Sequence, residues 1–198
     1  MTIDPSDSER KELIRDFAQV LVKTKALQFG SFTLTSGKKS PYYVDLRIIP
    51  SVPEMFKRLV GELTRITKST DIEGFDVIVG VPTSGLVYAT AIAYELGKPL
   101  VYVRKGKRIH GTKRDVEGII TSRERVLMID DLTTTGKSLI DTALKMRELG
   151  CSVKSCIAII DRREGALENL RKNGIELIAL TSTTEIMDVL QRVDDSTS

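Results

Sequence analysis

The sequence predicts an α/β protein whose sheet contains buried, parallel-type strands. Short apolar runs, such as the unbroken run 126–129 and the mostly apolar residues 75–81, are typical of strands that are covered on both faces. A polar turn follows each of these runs, and after it the apolar residues recur at helical spacing, as in residues 139–146. This order of strand, polar loop and helix places the loops beyond the carboxyl ends of the strands, where ligands bind in open α/β sheets.

The N-terminal part of the chain predicts a helix, a hairpin and a second helix. Residues 8–26 carry apolar side chains at helical spacing, and residues 53–67 repeat that pattern after a proline, which a first helical turn tolerates. Between them, residues 27–47 hold short β-type runs around a Ser36-Gly37 turn. We interpret the two helices as packing elements.

The rest of the chain alternates strands with helices. Gly97 and Gly174 each follow a predicted helix and are typical of helix C-terminal caps. The predicted strands are 75–81, 100–103, 126–129, 153–160 and 175–181, and the predicted helices are 86–96, 139–150, 166–173 and 184–191.

Length and composition indicate one cytoplasmic domain. The 198 residues are enough for a sizeable core, and the hydrophobic fraction of 41% and charged fraction of 29% are ordinary for a globular protein. A net charge of +3 does not by itself indicate a nucleic-acid partner. No apolar stretch reaches membrane-spanning length, and the polar N-terminus does not resemble a signal peptide. We therefore expect neither a membrane nor a nucleic-acid partner.

Three residues of metal-binding type need an interpretation, namely Cys151, Cys156 and the single histidine, His110. They are too few for a zinc site. The two cysteines flank the start of a predicted strand, and we expect them to be buried, reduced thiols.

The most informative stretch joins a buried strand to a helix. The apolar run 126–129 is followed at once by Asp130, Asp131, Leu132, Thr133, Thr134, Thr135, Gly136, Lys137 and Ser138. Loop amides at a helix N-terminus favour an anion, the hydroxyls add donors, and a glycine allows close approach of a phosphate. The carboxylates would repel a phosphate but accept hydrogen bonds from a ribose diol, and they could also steer Mg²⁺. The stretch therefore predicts a site for a phosphorylated sugar.

Two other structures would explain parts of this stretch. A strand-end acidic turn before a capped helix would explain the two aspartates alone, but not the whole series. A P-loop would explain Gly-Lys-Ser at 136–138, but its pattern requires a glycine five residues before Gly136, where Asp131 stands. Residues 80–85, Gly-Val-Pro-Thr-Ser-Gly, form a second predicted anion-binding turn, which lacks the P-loop lysine.

A basic segment separates two predicted strands. It runs from Arg104 through Lys105, Arg108 and His110 to Arg114, with several glycines and few apolar residues. Burial cannot order such a segment, so we expect it to be mobile when no ligand is bound. A solvated loop and a nucleic-acid patch are the ordinary alternatives. Its position between two sheet strands favours a lid over a polyanion.

These motifs together resemble the type I phosphoribosyltransferases. The acidic pair with its threonine loop resembles the family's phosphoribosyl pyrophosphate motif. Phe-Gly-x-Phe-Thr-Leu-x-Ser-Gly-x-x-Ser-Pro-Tyr at 29–42, the Arg-Lys…His-Gly segment at 104–111 and Asp-Arg-x-Glu at 161–164 resemble the orotate phosphoribosyltransferases within that family.

The resemblance implies a type I phosphoribosyltransferase fold, with a central, mostly parallel sheet flanked by helices and a small N-terminal hood. The chain would be one domain over 1–198, with the hood at about 1–50 plus C-terminal elements and the core at about 51–180. The implied activity is a glycosyltransferase reaction of UMP biosynthesis. It converts orotate and phosphoribosyl pyrophosphate to orotidine 5′-monophosphate and pyrophosphate with Mg²⁺, in a homodimer whose lid loop acts in the neighbouring subunit's site.

The resemblance also implies a role for each motif. Asp130 and Asp131 would bind the ribose hydroxyls, residues 132–138 the 5′-phosphate, and the turn at 80–85 the pyrophosphate. The residues implied to bind phosphoribosyl pyrophosphate from the lid are Arg104, Lys105, Arg108 and His110, of which the last three, with Asp131, would be catalytic. The residues implied to contact orotate are Tyr42, Tyr43, Thr134 and Arg162.

The chain departs from the family pattern at a few positions. Thr35 stands where many members have lysine, and Ser84 where some do. Arg108 stands where lysine is usual, which keeps the charge but changes the geometry. These departures leave two alternatives open: a regulator that binds phosphoribosyl pyrophosphate and nucleic acid without catalysis, and a sister enzyme that acts on another base.

Overall fold

The computed structural model describes residues 7–33, 39–68, 72, 74–104 and 115–195. The contacts divide the chain into two compact units, each of which is described by itself below. The first unit takes in the described residues of Met1–Leu59 and Thr184–Ser198, and the second those of Val60–Thr183.

Six α-helices, eight strands and one 3-10 helix are found in the part of the chain that the structure describes. In chain order they are α1 (Asp7–Lys23), β1 (Leu27–Thr33), β2 (Lys39–Val44), the 3-10 helix (Leu46–Ser51), α2 (Pro53–Ile66), β3 (Val77–Gly80), α3 (Ser84–Leu96), β4 (Leu100–Val103), β5 (Val116–Glu117), β6 (Arg125–Thr133), α4 (Lys137–Glu148), β7 (Ser152–Asp161), α5 (Ala166–Lys172), β8 (Glu176–Ser182) and α6 (Thr183–Asp195).

The first unit contains the predicted N-terminal helix and hairpin. Strands β1 and β2 pair in antiparallel fashion, with Leu27 opposite Val44. The predicted Ser36-Gly37 turn lies outside the described residues. Helix α1 buries its apolar stripe, and Arg10 forms a two-bonded ion pair with Glu185 of α6 through N–O distances of 2.9 Å. Helices α1 and α6 are therefore joined by a guanidinium–carboxylate fork.

The second unit is built on a six-stranded sheet of order β5-β4-β3-β6-β7-β8. Strands β4, β3, β6, β7 and β8 run parallel, and β5 is antiparallel to β4. All four residues of β3 are buried, as are residues 126–130 of β6. Helices α4 and α5 contribute apolar side chains to the core on one face of this sheet, among them Leu139, Ala143, Met146, Ala166 and Leu170. The predicted mostly parallel sheet is confirmed.

The strand order creates a crevice in the second unit. From β3 the chain passes through α3 to β4 on one side, whereas β6 lies on the other side of β3. The connections that leave β3 and β6 therefore diverge, which is the arrangement at which open α/β sheets bind ligands. Both predicted anion-binding turns, at 80–85 and 134–136, lie at this edge of the sheet.

The structure corrects the predicted strand end before the acidic pair. Strand β6 does not stop at Ile129 but continues to Thr133, so Asp130 and Asp131 are strand residues and the loop is only 134–136. Pairing with β7 persists to Thr133, opposite Asp161. The apolar run ends at Ile129, whereas burial continues to Asp130 and the hydrogen-bonded ladder continues to Thr133. The short strand β5 was also missed, because two residues carry too little periodicity to be recognised.

Both cysteines are free and buried, as predicted. Burial, followed by the charges of Asp130 and Glu176, raises the pKa of Cys156 far above its usual range, and burial with the charge of Glu124 raises the pKa of Cys151. A raised pKa leaves little reactive thiolate at mildly alkaline pH. We therefore expect iodoacetamide at about pH 8 to label neither thiol of the native protein and both in denaturant, as measured by mass spectrometry. Rapid native labelling of Cys156 would contradict its buried position.

Among the described residues, no helix combines the length and the apolar character that crossing a membrane requires.

Candidate active site

The acidic pair lies where β6 extends beyond its neighbour. Strand β3 ends at Gly80, opposite Ile129, whereas β6 continues for four more residues. Asp130 is buried, with 6% of its surface exposed, and its Oδ1 accepts the Asp131 N–H at 2.9 Å. Asp131 is half-buried. The two carboxylates therefore sit at different depths at the carboxyl end of the sheet.

Helix α3 packs its first turn directly against this strand end. A Cβ atom at Gly85 would lie 2.7 Å from the Asp130 Cα and 2.7 Å from the Ile129 carbonyl oxygen, so only glycine allows this approach. One turn further on, Tyr88 is fully buried. Burial and the charge of Asp131 raise the pKa of Tyr88 well above its usual range, which keeps its hydroxyl protonated. The first turn of α3 thus lies against the backbone of the acidic strand end at Gly85, where no side chain intervenes. One turn further on, the Tyr88 hydroxyl is uncharged.

The turn between β3 and α3 lies beside the acidic strand end. The Val81 N–H donates to the Ile129 carbonyl at 2.9 Å, and the Leu86 N–H donates to the Val81 carbonyl at 3.1 Å. The Pro82–Thr83 peptide bond is cis. Helix α3 begins at Ser84, two residues before the predicted start, so Ser84 lies in the first turn of a helix. This placement suits an anion, because first-turn amides lack intrahelical partners.

The threonine loop connects β6 to α4 through a left-handed glycine. Gly136 has a φ of +78° and precedes Lys137, the first residue of α4. The Ile140 N–H donates to the Gly136 carbonyl at 2.9 Å, which closes the first helical turn. Thr134 and Thr135 are half-buried, whereas Lys137 and Ser138 are exposed, and Lys137 pairs with Asp141 at 3.0 Å. Successive amides that meet at a left-handed residue form a concavity suited to an anion.

Arg162 follows β7 and lies next to the threonine loop. Thr133 is opposite Asp161 in the sheet, and the Arg162 N–H donates to the Thr133 carbonyl at 2.9 Å. Only 4% of the Arg162 side chain is exposed, and its Nε lies 2.8 Å from Glu164 Oε1. A buried guanidinium held by a carboxylate presents a fixed, planar set of donors.

The structure places the remaining predicted site residues less completely. Arg104 is described, and its Nη1 pairs with Glu117 Oε1 at 2.9 Å. Lys105, Arg108 and His110 lie outside the described residues, as does Thr35.

The predicted base-contacting tyrosines belong to the first unit. Tyr43 stacks against Phe32 with ring centroids 5.7 Å apart, and the Arg47 Nη2 donates to the Tyr43 hydroxyl at 3.3 Å. Tyr42 is half-buried beside it on β2. The second unit therefore brings together the acidic pair, both turns and Arg162, whereas Tyr42 and Tyr43 belong to the first unit.

The donor set fits a magnesium ion that is shared with a ligand. Within the described ranges, no cluster of three or more His, Cys, Asp or Glu residues converges on one point. Asp130 and Asp131 alone are too few for an all-protein cage. Mg²⁺ commonly keeps several waters and binds through one or two carboxylates plus substrate phosphates, which is what this pair could supply.

Three residues with a part in this geometry were not assigned from the sequence. Gly85 was recognised only as the end of a turn, although a glycine at a strand–helix junction is a signal of close approach. Glu164 was recognised only within a motif, and its ion pair with Arg162 required the structure. Asn169 gave no sequence signal, yet its Nδ2 donates to the Thr135 carbonyl at 2.9 Å.

Comparison with known proteins agrees with this arrangement. The family model described as a phosphoribosyl transferase domain matches residues 53–186. The protein named orotate phosphoribosyltransferase from Staphylothermus marinus is 39% identical over 196 residues, and the match covers 97% of this chain and 92% of that protein.

Solved structures give the same result. The crystal structure of orotate phosphoribosyltransferase from Aeropyrum pernix matches with a TM-score of 0.79 and 33% identity, over 88% of this chain and 98% of that one. The structure of Leishmania donovani UMP synthase matches with a TM-score of 0.81 and 32% identity, over 93% of this chain but 39% of that longer one. The present chain therefore belongs to the orotate phosphoribosyltransferases of the type I phosphoribosyltransferase family.

Proposed function

We propose that this chain transfers the 5-phosphoribosyl group from phosphoribosyl pyrophosphate to orotate and releases pyrophosphate. The product, orotidine 5′-monophosphate, places the reaction in UMP biosynthesis. The observation that carries the proposal is the second unit's crevice, where two carboxylates, a glycine-containing threonine loop and a buried arginine meet at the ends of β6 and β7. These are donors and acceptors for a ribose diol, a phosphate and a planar anion, respectively.

The reaction forms a bond from an orotate ring nitrogen to C1 of the ribose and breaks the bond from C1 to the pyrophosphate oxygen. The ring nitrogen gives up its proton in the process, and the basic oxygens of the leaving pyrophosphate can accept it. Because orotate is already anionic, no strong protein base is needed, and catalysis rests on positioning and charge stabilisation. Asp130 and Asp131 would hold the ribose hydroxyls, and the Asp131 carboxylate would also favour positive charge developing at C1. Residues 132–138 would hold the 5′-phosphate, and the turn at 80–85 the pyrophosphate.

The base would lie against the Arg162 side. A guanidinium fork matches a carboxylate or carbonyl of orotate, and Glu164 would keep that fork in place. Thr134 follows Thr133, whose carbonyl accepts the Arg162 N–H, and would add a hydroxyl contact. We propose that the chain is one domain, with a hood at about residues 1–50 plus the C-terminal elements and a core at about 51–180. Tyr42 and Tyr43 are the proposed base contacts.

Magnesium is the proposed cofactor. Asp130 and Asp131 would contribute ligands, together with phosphoribosyl pyrophosphate itself. When bound, the ion supplies positive charge that favours departure of the pyrophosphate. We also propose a cytoplasmic location, because both cysteines are free thiols and disulfides are rare in that compartment.

The assay that tests the function follows orotate consumption by ultraviolet absorbance with Mg²⁺ and phosphoribosyl pyrophosphate. We expect turnover with orotate and none with adenine or uracil. Turnover with one of those bases in place of orotate would reassign the chain to a sister enzyme. Absence of any turnover, together with a shift of total nucleic acid in a gel at physiological salt, would favour the regulator instead.

Lys105, Arg108 and His110 are the proposed lid residues that take up the charge of the leaving pyrophosphate, with Arg104 at the lid's start. We expect Lys105→Ala to lower turnover by about a hundredfold or more, because it removes a cation from the developing charge. Its midpoint of thermal unfolding should remain that of the parent protein. A matching loss of stability would indicate a structural lysine.

We propose that the protein is a homodimer in which each lid completes the partner's site. The test mixes Lys105→Ala with Asp131→Asn subunits by co-refolding, since each variant alone is expected to be nearly inactive. If the lid acts across the dimer, half of the dimers are mixed and one of their two sites is intact, which restores about a quarter of parental activity. A lid that acts within its own subunit would give no recovery.

A further inference from the structure

The loop proposed above to bind the 5′-phosphate is hydrogen-bonded along one side to a single short segment. Three successive carbonyls accept hydrogen bonds from residues 162–169. The bonds run from the Arg162 N–H to Thr133 at 2.9 Å, from the Ala166 N–H to Thr134 at 3.1 Å, and from the Asn169 Nδ2 to Thr135 at 2.9 Å.

This fastening sets the direction of the loop amides. In a planar trans peptide the carbonyl and the following N–H point in opposite directions. Anchoring the carbonyls of residues 133–135 therefore turns the N–H groups of Thr134, Thr135 and Gly136 away from the anchoring segment. That is the side on which β3 has already ended, and on which an anion would be bound.

Helix α5 also packs tightly beneath Gly136. A Cβ atom at Gly136 would lie 3.1 Å from the Leu170 Cγ and 3.5 Å from the Ala166 Cα. Gly136 therefore meets two constraints: its left-handed φ of +78° favours glycine, and the surface of α5 leaves little room for a side chain. The last amide of the series, that of Gly136, depends on the one anchor made by a side chain.

We propose that Asn169 is a positioning residue for phosphoribosyl pyrophosphate, an inference that rests on the proposed function. Its side-chain amide holds the Thr135 carbonyl and thereby orients the Gly136 N–H toward the 5′-phosphate. Asn169 does not itself touch the substrate. Because the other two anchors are backbone amides, Asn169 is the one of the three that a substitution can remove.

The chain offers a matched control in the same helix region. Asn173 also donates its Nδ2 to a backbone carbonyl, that of Asn169, at 2.8 Å, but this bond does not reach the loop. Asn173→Ala therefore removes a bond of the same kind and affects stability alone. Asn169→Asp keeps the shape of the side chain but places a carboxylate oxygen, which can only accept a hydrogen bond, opposite the Thr135 carbonyl.

The experiment measures steady-state KM for each substrate, together with ribose 5-phosphate binding by calorimetry. We expect Asn169→Ala to raise KM for phosphoribosyl pyrophosphate and to weaken ribose 5-phosphate binding by about three- to tenfold, as loss of one hydrogen bond implies. Asn169→Asp should raise KM for phosphoribosyl pyrophosphate further and weaken ribose 5-phosphate binding further. KM for orotate should stay within about twofold, and Asn173→Ala should leave all three values unchanged.

Each other outcome has a definite meaning. Unchanged ribose 5-phosphate binding in both Asn169 variants of an active protein would overturn this inference and leave the proposed function intact. Equal effects of Asn169→Ala and Asn173→Ala would also overturn it, since both would then act through helix stability. If the parent protein bound neither ribose 5-phosphate nor phosphoribosyl pyrophosphate, the proposed function would fail first. If Asn169→Ala does not fold, Asn169→Ser takes its place in the test, because the shorter serine side chain also loses the bond to the Thr135 carbonyl.

Discussion

Replacing Asp131 by asparagine is expected to lower kcat/KM for phosphoribosyl transfer on the order of a hundredfold or more. The substitution keeps the side-chain shape at the half-buried end of β6 and removes only the charge. A neutral amide can still accept a hydrogen bond from one ribose hydroxyl, but it no longer stabilises positive charge at C1. The measurement is steady-state kinetics with both substrates, with thermal unfolding recorded on the same samples.

Stability should change little in this variant. A near-isosteric change outside the apolar core alters the free energy of unfolding by about 0.5 kcal/mol or less, which corresponds to about 2 °C in Tm for a chain of this size. Asp141→Asn is the control, because Asp141 lies on the exposed side of α4 and pairs only weakly with Lys137. Equal activity losses in the two variants, or a large fall in Tm for Asp131→Asn alone, would contradict the assigned role.

Replacing Gly85 by alanine is expected to impair both folding stability and turnover. The added Cβ would lie 2.7 Å from the Asp130 Cα and from the Ile129 carbonyl oxygen. Both contacts are with backbone, so α3 must move away from β6 rather than a side chain rotate. Overpacking of this kind costs about 1–3 kcal/mol, or roughly 2–12 °C in Tm at about 2–4 °C per kcal/mol. Because the strand end that α3 packs against carries the acidic pair, we expect activity to fall by at least about tenfold.

Gly61→Ala provides the matched control. Gly61 lies inside α2, and a Cβ atom there would meet no atom within 4 Å. Alanine in a helix interior is favoured over glycine by about 0.5–1 kcal/mol, so this variant should unfold at a higher temperature with unchanged activity. If Gly85→Ala behaved like Gly61→Ala, the close approach of α3 to the acidic strand end would be wrong.

The strands of the sheet illustrate how far sequence pattern reaches. Residues 75–81 and 126–129 were recognised as buried strands because parallel strands covered on both faces are apolar without alternation. The same reasoning ended β6 too early. The apolar run ends at Ile129, but Asp130 is still buried, and pairing of β6 with β7 continues to Thr133 because backbone hydrogen bonds do not require apolar side chains.

The site shows the same division. Asp130, Asp131 and the threonine loop are contiguous, so the sequence alone predicts a site for a phosphorylated sugar there. Glu164 and Asn169 act through contacts with Arg162 and with the Thr135 carbonyl, respectively. The bond from Asn169 spans 34 positions, and neither its residue type nor its spacing distinguishes it from an ordinary helix-surface asparagine.

The sequence by itself determined the fold class and the family resemblance, because these depend on local periodicity and on contiguous residues. The tertiary structure decided which motifs meet. It placed the turns after β3 and β6 at one crevice, because β4 and β6 lie on opposite sides of β3. It also set the depth of Asp130, the approach of Gly85 and the fastening of the phosphate loop by α5. Those features depend on strand order and on contacts between distant segments, which a linear pattern does not record.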